Sequence, residues 1–199
     1  MTRVRRIGLF GGTFDPPHDA HVALARLALA ELALDELRWI PAGQPWQKAR
    51  QITPAGHREA MVRLAMGEEP RFRLERCEIR RAGPSFTLDT VRELQALEPG
   101  AQWFLIIGQD QYAGLHTWRD WRELLSRVTL AVANRPGVAV EPHPDVKAAA
   151  HQVVPLPMLD IASTDIRARV AAGQDIGTLV PVSVARYIEA NHLYRAPRG

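Results

Sequence analysis

Apolar runs alternate with amphipathic stretches along the chain. The segment 4–10, after its basic start, and the segment 103–107 are continuously apolar, which is typical of strands buried on both faces of a parallel sheet. The segment 18–34 instead repeats its apolar residues at helical spacing. We therefore predict strands over 4–10, 37–40, 72–79, 103–107, 128–133 and 152–156, and helices over 18–34, 54–66, 87–97, 118–127, 144–150, 163–172 and 183–191.

This alternation predicts an α/β fold, a doubly wound parallel sheet with helices on both faces. Open sheets of this kind bind ligands beyond the carboxyl ends of their strands, where the strand order reverses. The loops after Phe10 and Ile107 are then expected to flank one crevice. A length of 199 residues suits one domain, which we expect to span residues 1–199.

Composition and charge narrow the class of protein. Hydrophobic residues make up 46% and charged residues 24% of the chain, as in soluble globular proteins. The formal charge of +3 is scattered as arginines, which suits a small anionic substrate, and we expect no nucleic-acid or membrane partner. The one cysteine, Cys77, and the lack of a signal or transmembrane stretch predict a cytoplasmic protein. The sequence specifies no oligomeric state.

The stretch 7–21, IGLFGGTFDPPHDAH, reads as a strand, a loop opened by paired glycines, and a helix. Such a loop directs backbone N–H groups and a helix N-terminus at one point, which attracts phosphate. His18 and His21 stand at that point and can donate to phosphate oxygens, because imidazole titrates near neutral pH. The loop differs from the G-x-G-x-x-G and Walker motifs.

A second stretch, IASTDIR at 161–167, opens a predicted helix near the C-terminus. Ser163 and Thr164 stand where an N-cap is expected. Arg167 follows one turn later on the same side, where its guanidinium can reach a phosphate. Taken alone, this pattern is more often a capped surface helix with an ordinary arginine.

Together the two stretches resemble a known superfamily. GGTFDPPHDAH resembles the G-G-[ST]-F-D-P-x-H-x-G-H signature of the nucleotidyltransferases related to class I aminoacyl-tRNA synthetases, and IASTDIR resembles their I-S-x-T-x-I-R motif. Ala20 and Ala162 depart from the glycine and serine of those motifs. The resemblance implies a Rossmann-like fold in which His18, His21 and Arg167 are catalytic, the histidines binding the triphosphate and stabilising the transition state.

Four motifs in the middle of the chain narrow the resemblance from the superfamily to one family. They are PSFT at 84–87, IIGQDQY at 106–112, TW at 117–118 and NRPG at 134–137. With the signature they resemble the bacterial nicotinate-nucleotide adenylyltransferases. The resemblance implies transfer of an adenylyl group from ATP to nicotinate mononucleotide, giving nicotinate adenine dinucleotide and pyrophosphate in NAD biosynthesis. Mg²⁺ is expected with ATP, held chiefly by phosphates and water rather than by protein ligands.

The resemblance also implies binding residues. In that family Thr87 and Trp118 would hold the nicotinate ring, and Asp110 a ribose hydroxyl. The residues expected to bind ATP are Gly11, Gly12, Thr13, Phe14, His18, His21, Lys48, Gly108, Asp110, Ile161, Ser163, Thr164 and Arg167. Those expected to bind nicotinate mononucleotide are Thr87, Asp110, Tyr112, Trp118 and Arg135.

Five of these residues also have a purely structural interpretation. Trp118 could be a core aromatic residue, as we expect for Trp121, and Asp110 or Thr87 could cap a helix. Arg135 could lie in a solvated turn, and Lys48 in a polar loop is as well explained by solvation as by a phosphate contact.

Three other functions remain open at this stage. A metal hydrolase would use Asp15, His18 and His21 as ligands, but would leave the Gly-Gly loop and Arg167 unexplained. A redox or non-catalytic dinucleotide-binding module should carry G-x-G-x-x-G, which is absent. A pantetheine-phosphate or nicotinamide-mononucleotide adenylyltransferase is a closer alternative, and the Thr87 and Trp118 motifs argue against both.

Overall fold

The structure is a parallel sheet with helices packed on it. It is a computed structural model that describes residues 3–44, 52–134, 141–155 and 161–195. Within these residues one six-stranded sheet has the order β3-β2-β1-β4-β5-β6, and every neighbouring pair is parallel. The α/β prediction is confirmed. The strands are β1 (Arg6–Gly12), β2 (Glu36–Pro41), β3 (Phe72–Leu74), β4 (Gln102–Gly108), β5 (Thr129–Asn134) and β6 (His151–Pro155).

Helices connect the strands, and two more follow the last described strand. Those in the described residues are α1 (Asp19–Glu31), α2 (Ala55–Met66), α3 (Cys77–Arg80), α4 (Thr87–Leu97), α5 (Gln109–Gly114), α6 (Trp121–Arg127), α7 (Pro144–Ala148), α8 (Ser163–Ala171) and α9 (Val182–Ala190). None of these helices is long and apolar enough to cross a membrane.

Alternate residues of the central strands fill two apolar layers, because successive side chains of a strand point to opposite faces. On β4, Leu105 and Ile107 pack with α4 and α6 on one face. Phe104 and Ile106 pack with α1 on the other face. A third cluster joins α2 to α8 and α9, which places the C-terminal helices beside α2; its buried members include Met61, Ile166, Val184 and Ile188.

The predicted strand 72–79 is wrong in its second half. The strand ends at Leu74, and Cys77 begins α3. The side chain of Glu75 accepts hydrogen bonds from the backbone N–H groups of Arg76 and Cys77, at 2.8 and 3.0 Å. These local bonds turn the chain away from the sheet, because they occupy amides that a continuing strand would offer to its neighbour.

The predicted helix 118–127 begins later than expected. A 3-10 turn covers Leu115–Thr117, Trp118 is extended, and α6 starts at Trp121. Asp120 has a left-handed backbone with φ 50°, which separates the turn from α6. As expected, Trp121 is a core residue. The short helix α5 directly after β4 was not predicted.

Candidate active site

A cleft opens where the sheet reverses its strand order, between β1 and β4. Its volume is about 620 Å³. The loops after Phe10 and Ile107 both line it, as the sequence predicted. The other walls come from the first turns of α1 and α4, from the segment around Trp118, and from residues 161–163.

The loop after β1 packs on the ring of Phe14. Phe14 is buried with φ 50°, a left-handed conformation that is uncommon outside glycine. Its ring lies edge-on to His21 at 5.1 Å between centroids, and packs on Phe10 at 5.4 Å. A Cβ on Gly12 would lie 2.9 Å from this ring, so a larger residue there would require the buried Phe14 ring to move. The second glycine of the motif therefore allows the fold of the loop.

The two histidines of the signature stack on each other at the start of α1. Their ring centroids are 3.7 Å apart with an interplanar angle of 29°. His18 is 6% exposed and both rings line the cleft. The backbone N–H of His18 donates to Nδ1 of His21 at 3.2 Å. Because Nδ1 accepts this bond, the neutral His21 ring carries its proton on Nε2, as a donor.

Asp15 lies in the loop between β1 and α1, which we call the signature loop, and links it to the C-terminal part of the chain. Its side chain, in a residue 1% exposed, accepts a hydrogen bond from the Tyr194 hydroxyl at 2.7 Å. Arg167 donates through Nη1 to the Asp15 backbone oxygen at 2.7 Å, and Ser163 Oγ donates to the Pro16 carbonyl at 2.9 Å. The IASTDIR segment therefore holds the signature loop directly.

Tyr194→Phe is expected to destabilise the protein by about 1.5–3 kcal/mol, because a hydrogen bond to a buried charged group is lost. Burial, and next the charge of Asp15, raise the pKa of the Tyr194 phenol, which therefore stays protonated and donates at neutral pH. Chemical denaturation measures the change in the free energy of unfolding. Tyr187→Phe is the matched control, since the Tyr187 hydroxyl bonds His57 away from the loop. Equal losses in both variants would contradict a special role for the Asp15 contact.

The cleft is also lined by residues expected to bind nicotinate mononucleotide. Thr87, Trp118 and Asp110 all line it. The expected capping roles are wrong in detail: Phe86 is the N-cap of α4, so Thr87 is its first residue, and Gly108 is the N-cap of α5. The same shift applies to Ser163, which is the first residue of α8 after Ala162.

Several cleft residues were missed by the sequence analysis. Glu78, Ser85 and Thr90 form a polar group beneath the start of α4, with Thr90 Oγ1 donating to Glu78 Oε1 at 2.8 Å. Burial raises the pKa of the Glu78 carboxyl, and hydrogen bonds from Thr90 and Ser85 oppose the rise. Arg119, also in the cleft wall, lies over the Phe86 ring at 4.7 Å. Ser85 stands in the PSFT motif but was given no role, and no local pattern marks the others.

Some expected site residues lie elsewhere. Tyr112 is 8% exposed and belongs to the apolar core on the α4 side of the sheet. Thr164 lies beside Arg167, whose Nη2 donates to its Oγ1 at 3.3 Å, and neither residue is among those that line the cleft. Lys48 and Arg135 lie outside the described residues. The roles expected for these residues stay predictions.

Metal-ligating side chains are scattered over the described residues. In these segments no group of three or more His, Cys, Asp or Glu side chains is arranged to hold a metal ion. Asp15, the carboxylate of the hydrolase alternative, accepts from Tyr194 instead. Asp15, His18 and His21, the ligands of the metal-hydrolase alternative, thus do not form such a group.

The family model described as cytidylyltransferase-like matches residues 9–169. This span contains the β1 loop, the histidine pair, the nicotinate-side residues and Arg167. The chain therefore belongs to the cytidylyltransferase-like family of nucleotidyltransferases.

Comparison with individual proteins narrows the family further. A probable nicotinate-nucleotide adenylyltransferase of Methylibium petroleiphilum is 54% identical and covers 98% of this chain and 95% of its own. One of Albidiferax ferrireducens is 46% identical, covering 96% and 99%. The chain is a member of the nicotinate-nucleotide adenylyltransferase family. A structure of Plasmodium falciparum nicotinic acid mononucleotide adenylyltransferase complexed with NaAD has the same fold, with a TM-score of 0.82, 17% identity and coverage of 96% and 97%.

Proposed function

We propose that this chain transfers the adenylyl group of ATP to nicotinate mononucleotide, giving nicotinate adenine dinucleotide and pyrophosphate. The observation that carries the proposal is the stacked pair of His18 and His21 in a cleft that Thr87 and Trp118 also line. The cleft thus has a place for a triphosphate and a place for an aromatic ring. Both substrates are small molecules, and we propose that the reaction takes place in the cytoplasm without a nucleic-acid or membrane partner.

The reaction needs no protein nucleophile. A phosphate oxygen of the mononucleotide attacks the α-phosphorus of ATP, and the bond from that phosphorus to the pyrophosphate oxygen breaks as the new bond forms. The leaving pyrophosphate takes the electron pair. Cys77 is not suited to attack, because burial, with smaller effects from neighbouring charges, raises the pKa of its thiol to about 12. Catalysis then rests on alignment and on stabilising phosphate charge.

The residues at the ATP end supply that charge stabilisation. His21 donates through Nε2, and the stacked His18 lies beside it at the start of α1. The backbone N–H of Asp19 is already used, since it donates to the Leu179 carbonyl at 3.0 Å. We assign the pyrophosphate to these side chains and to Arg167, whose guanidinium donates to the Asp15 backbone oxygen in the same loop.

Mg²⁺ is proposed to enter with ATP, as part of the substrate. The described residues offer no group of three ligands for a protein cage, and Mg²⁺ usually keeps phosphate and water ligands. The ion would neutralise triphosphate charge, while the protein residues orient the two substrates.

Pyrophosphate release tests the proposal directly. Purified protein is given ATP and Mg²⁺ with nicotinate mononucleotide, nicotinamide mononucleotide or phosphopantetheine in separate reactions. Release that is fastest with nicotinate mononucleotide supports the proposed substrate. Release with phosphopantetheine alone would replace it with the pantetheine-phosphate alternative, and no release with any acceptor would refute adenylyl transfer.

Arg167→Lys is expected to lower kcat/KM for ATP by roughly 10- to 100-fold, because that is the effect of losing one charge-assisted hydrogen bond. The planar guanidinium donates to Asp15 O with one nitrogen and to Thr164 Oγ1 with another, whereas an ammonium acts as a point charge. Steady-state kinetics at saturating nicotinate mononucleotide measure the effect. Arg169→Lys on the same helix is the control. Wild-type kinetics for Arg167→Lys would show that the fork geometry is not needed.

A further inference from the structure

A buried arginine, Arg58, lies on α2. Arg58 is 1% exposed and stands with Met61, Val62 and Ala65 on the buried face of that helix. The spacing of these four positions is that of an apolar helix face. A cation at such a position is costly unless its donors are satisfied, so its presence needs a reason beyond filling space.

The guanidinium donates to the backbone carbonyls of three separate segments. Nη1 donates to Thr13 O at 2.9 Å, Nη2 to Gly43 O at 3.1 Å, and Nε to Thr53 O at 2.9 Å. Thr13 belongs to the signature loop after β1, and Gly43 to the segment after β2. One side chain therefore holds two loops that approach the cleft from neighbouring strands.

The second of these contacts continues to the nicotinate end of the cleft. The Gly43 N–H donates to Ser85 Oγ, and the Ser85 N–H donates to the Gln44 carbonyl, both at 3.1 Å. A Cβ on Gly43 would lie 2.1 Å from the Glu78 carbonyl oxygen, so the segment packs closely on α3. We call the contacts of Thr13, Arg58, Gly43 and Ser85 the loop bridge.

We propose that Arg58 is a positioning residue that fixes the ATP-binding loop relative to the nicotinate-binding end through the loop bridge. The proposal rests on the proposed function for the assignment of the two ends. Arg58 reaches three carbonyls in different directions because its planar group carries five N–H donors. Lysine keeps the charge, but its single ammonium cannot bond all three segments at these positions.

Arg58→Lys is expected to lower kcat roughly 100-fold, because a misalignment of about 1 Å between reacting groups has an effect of this size. KM for each substrate should change much less, because each end keeps its own contacts. Arg63→Lys is the control, since Arg63 is on the same helix and pairs with Glu59 at the surface. Turnover is measured per folded molecule, with the folded fraction taken from thermal unfolding followed by circular dichroism.

Ser85→Ala cuts the loop bridge at its other end and leaves Arg58 in place. It is expected to lower kcat about fivefold or more, because a lost hydrogen bond has an effect of about this size. In the double variant the Ser85 change should add little to Arg58→Lys, because the bridge is already broken. This second variant tests the proposal even where Arg58→Lys fails to fold.

Hydrogen exchange gives a readout that does not depend on the reaction. In Arg58→Lys, amides of residues 12–15 and 42–44 should exchange faster while those of β4 stay protected. Wild-type kcat per folded molecule in both single variants, or effects on kcat that multiply in the double variant, would overturn the proposal. Faster exchange throughout the chain would show a general loss of stability and would also overturn it. A wild-type protein inactive with every acceptor would refute the proposed function without altering the exchange result.

Discussion

His18→Ala and His21→Ala are each expected to reduce turnover by roughly a hundred- to thousand-fold, or about 2.7–4 kcal/mol of transition-state stabilisation. The stacked rings line the cleft at the start of α1. The neutral His21 ring carries its N–H at Nε2, where it can donate to a phosphate, because its Nδ1 accepts from the His18 backbone. Initial rates of pyrophosphate release at saturating substrates measure the loss.

The two variants should differ in stability more than in turnover. His21→Ala also removes the acceptor for the His18 N–H, and losing a helix cap costs about 1 kcal/mol. His151→Ala is the control, because His151 is exposed at the start of β6. Near-normal turnover in both cleft variants, with the fold intact, would exclude these histidines from the mechanism.

The sequence predicted the fold where local pattern and tertiary packing agree. Continuous apolar runs gave β1 and β4, and the paired glycines marked the loop between β1 and α1. The pattern failed after Leu74, because the side chain of Glu75 takes the next two backbone amides. An alternating sequence carries no sign of such a local acceptor. The Trp118 segment failed for a related reason, since a left-handed residue at Asp120 interrupts a helix-like spacing.

The site was predictable only where its residues lie in contiguous motifs. His18, His21 and Arg167 stand in such motifs, whereas the partners that hold them come from distant segments. Asp15 and Tyr194 are 179 positions apart, and no periodicity links them. Arg58 did leave a signal, a cation at an apolar position of α2. Its purpose became visible only when the fold brought three carbonyls around it.

The protein is expected to prefer nicotinate over nicotinamide mononucleotide by roughly 10⁴–10⁵ in kcat/KM, as sites do when the wrong substrate leaves buried polar groups unpaired. A carboxylate only accepts hydrogen bonds, whereas an amide also donates. Thr87 is the first residue of α4, whose first-turn N–H groups and dipole favour an anion at this end of the cleft. The amide of nicotinamide would place its NH₂ against these donors. Parallel measurements of kcat/KM with the two mononucleotides determine the ratio.

Two variants locate the source of this preference. Trp118 can stack on either ring, so Trp118→Ala should weaken both substrates and keep their ratio. Glu78 also lines the cleft, but its carboxyl is buried and accepts from Thr90, so Glu78→Gln should not reverse the preference. Equal kcat/KM values in the wild type would refute selection for the acid. A ratio that collapses in Trp118→Ala or Glu78→Gln would move the discrimination from backbone donors onto that side chain.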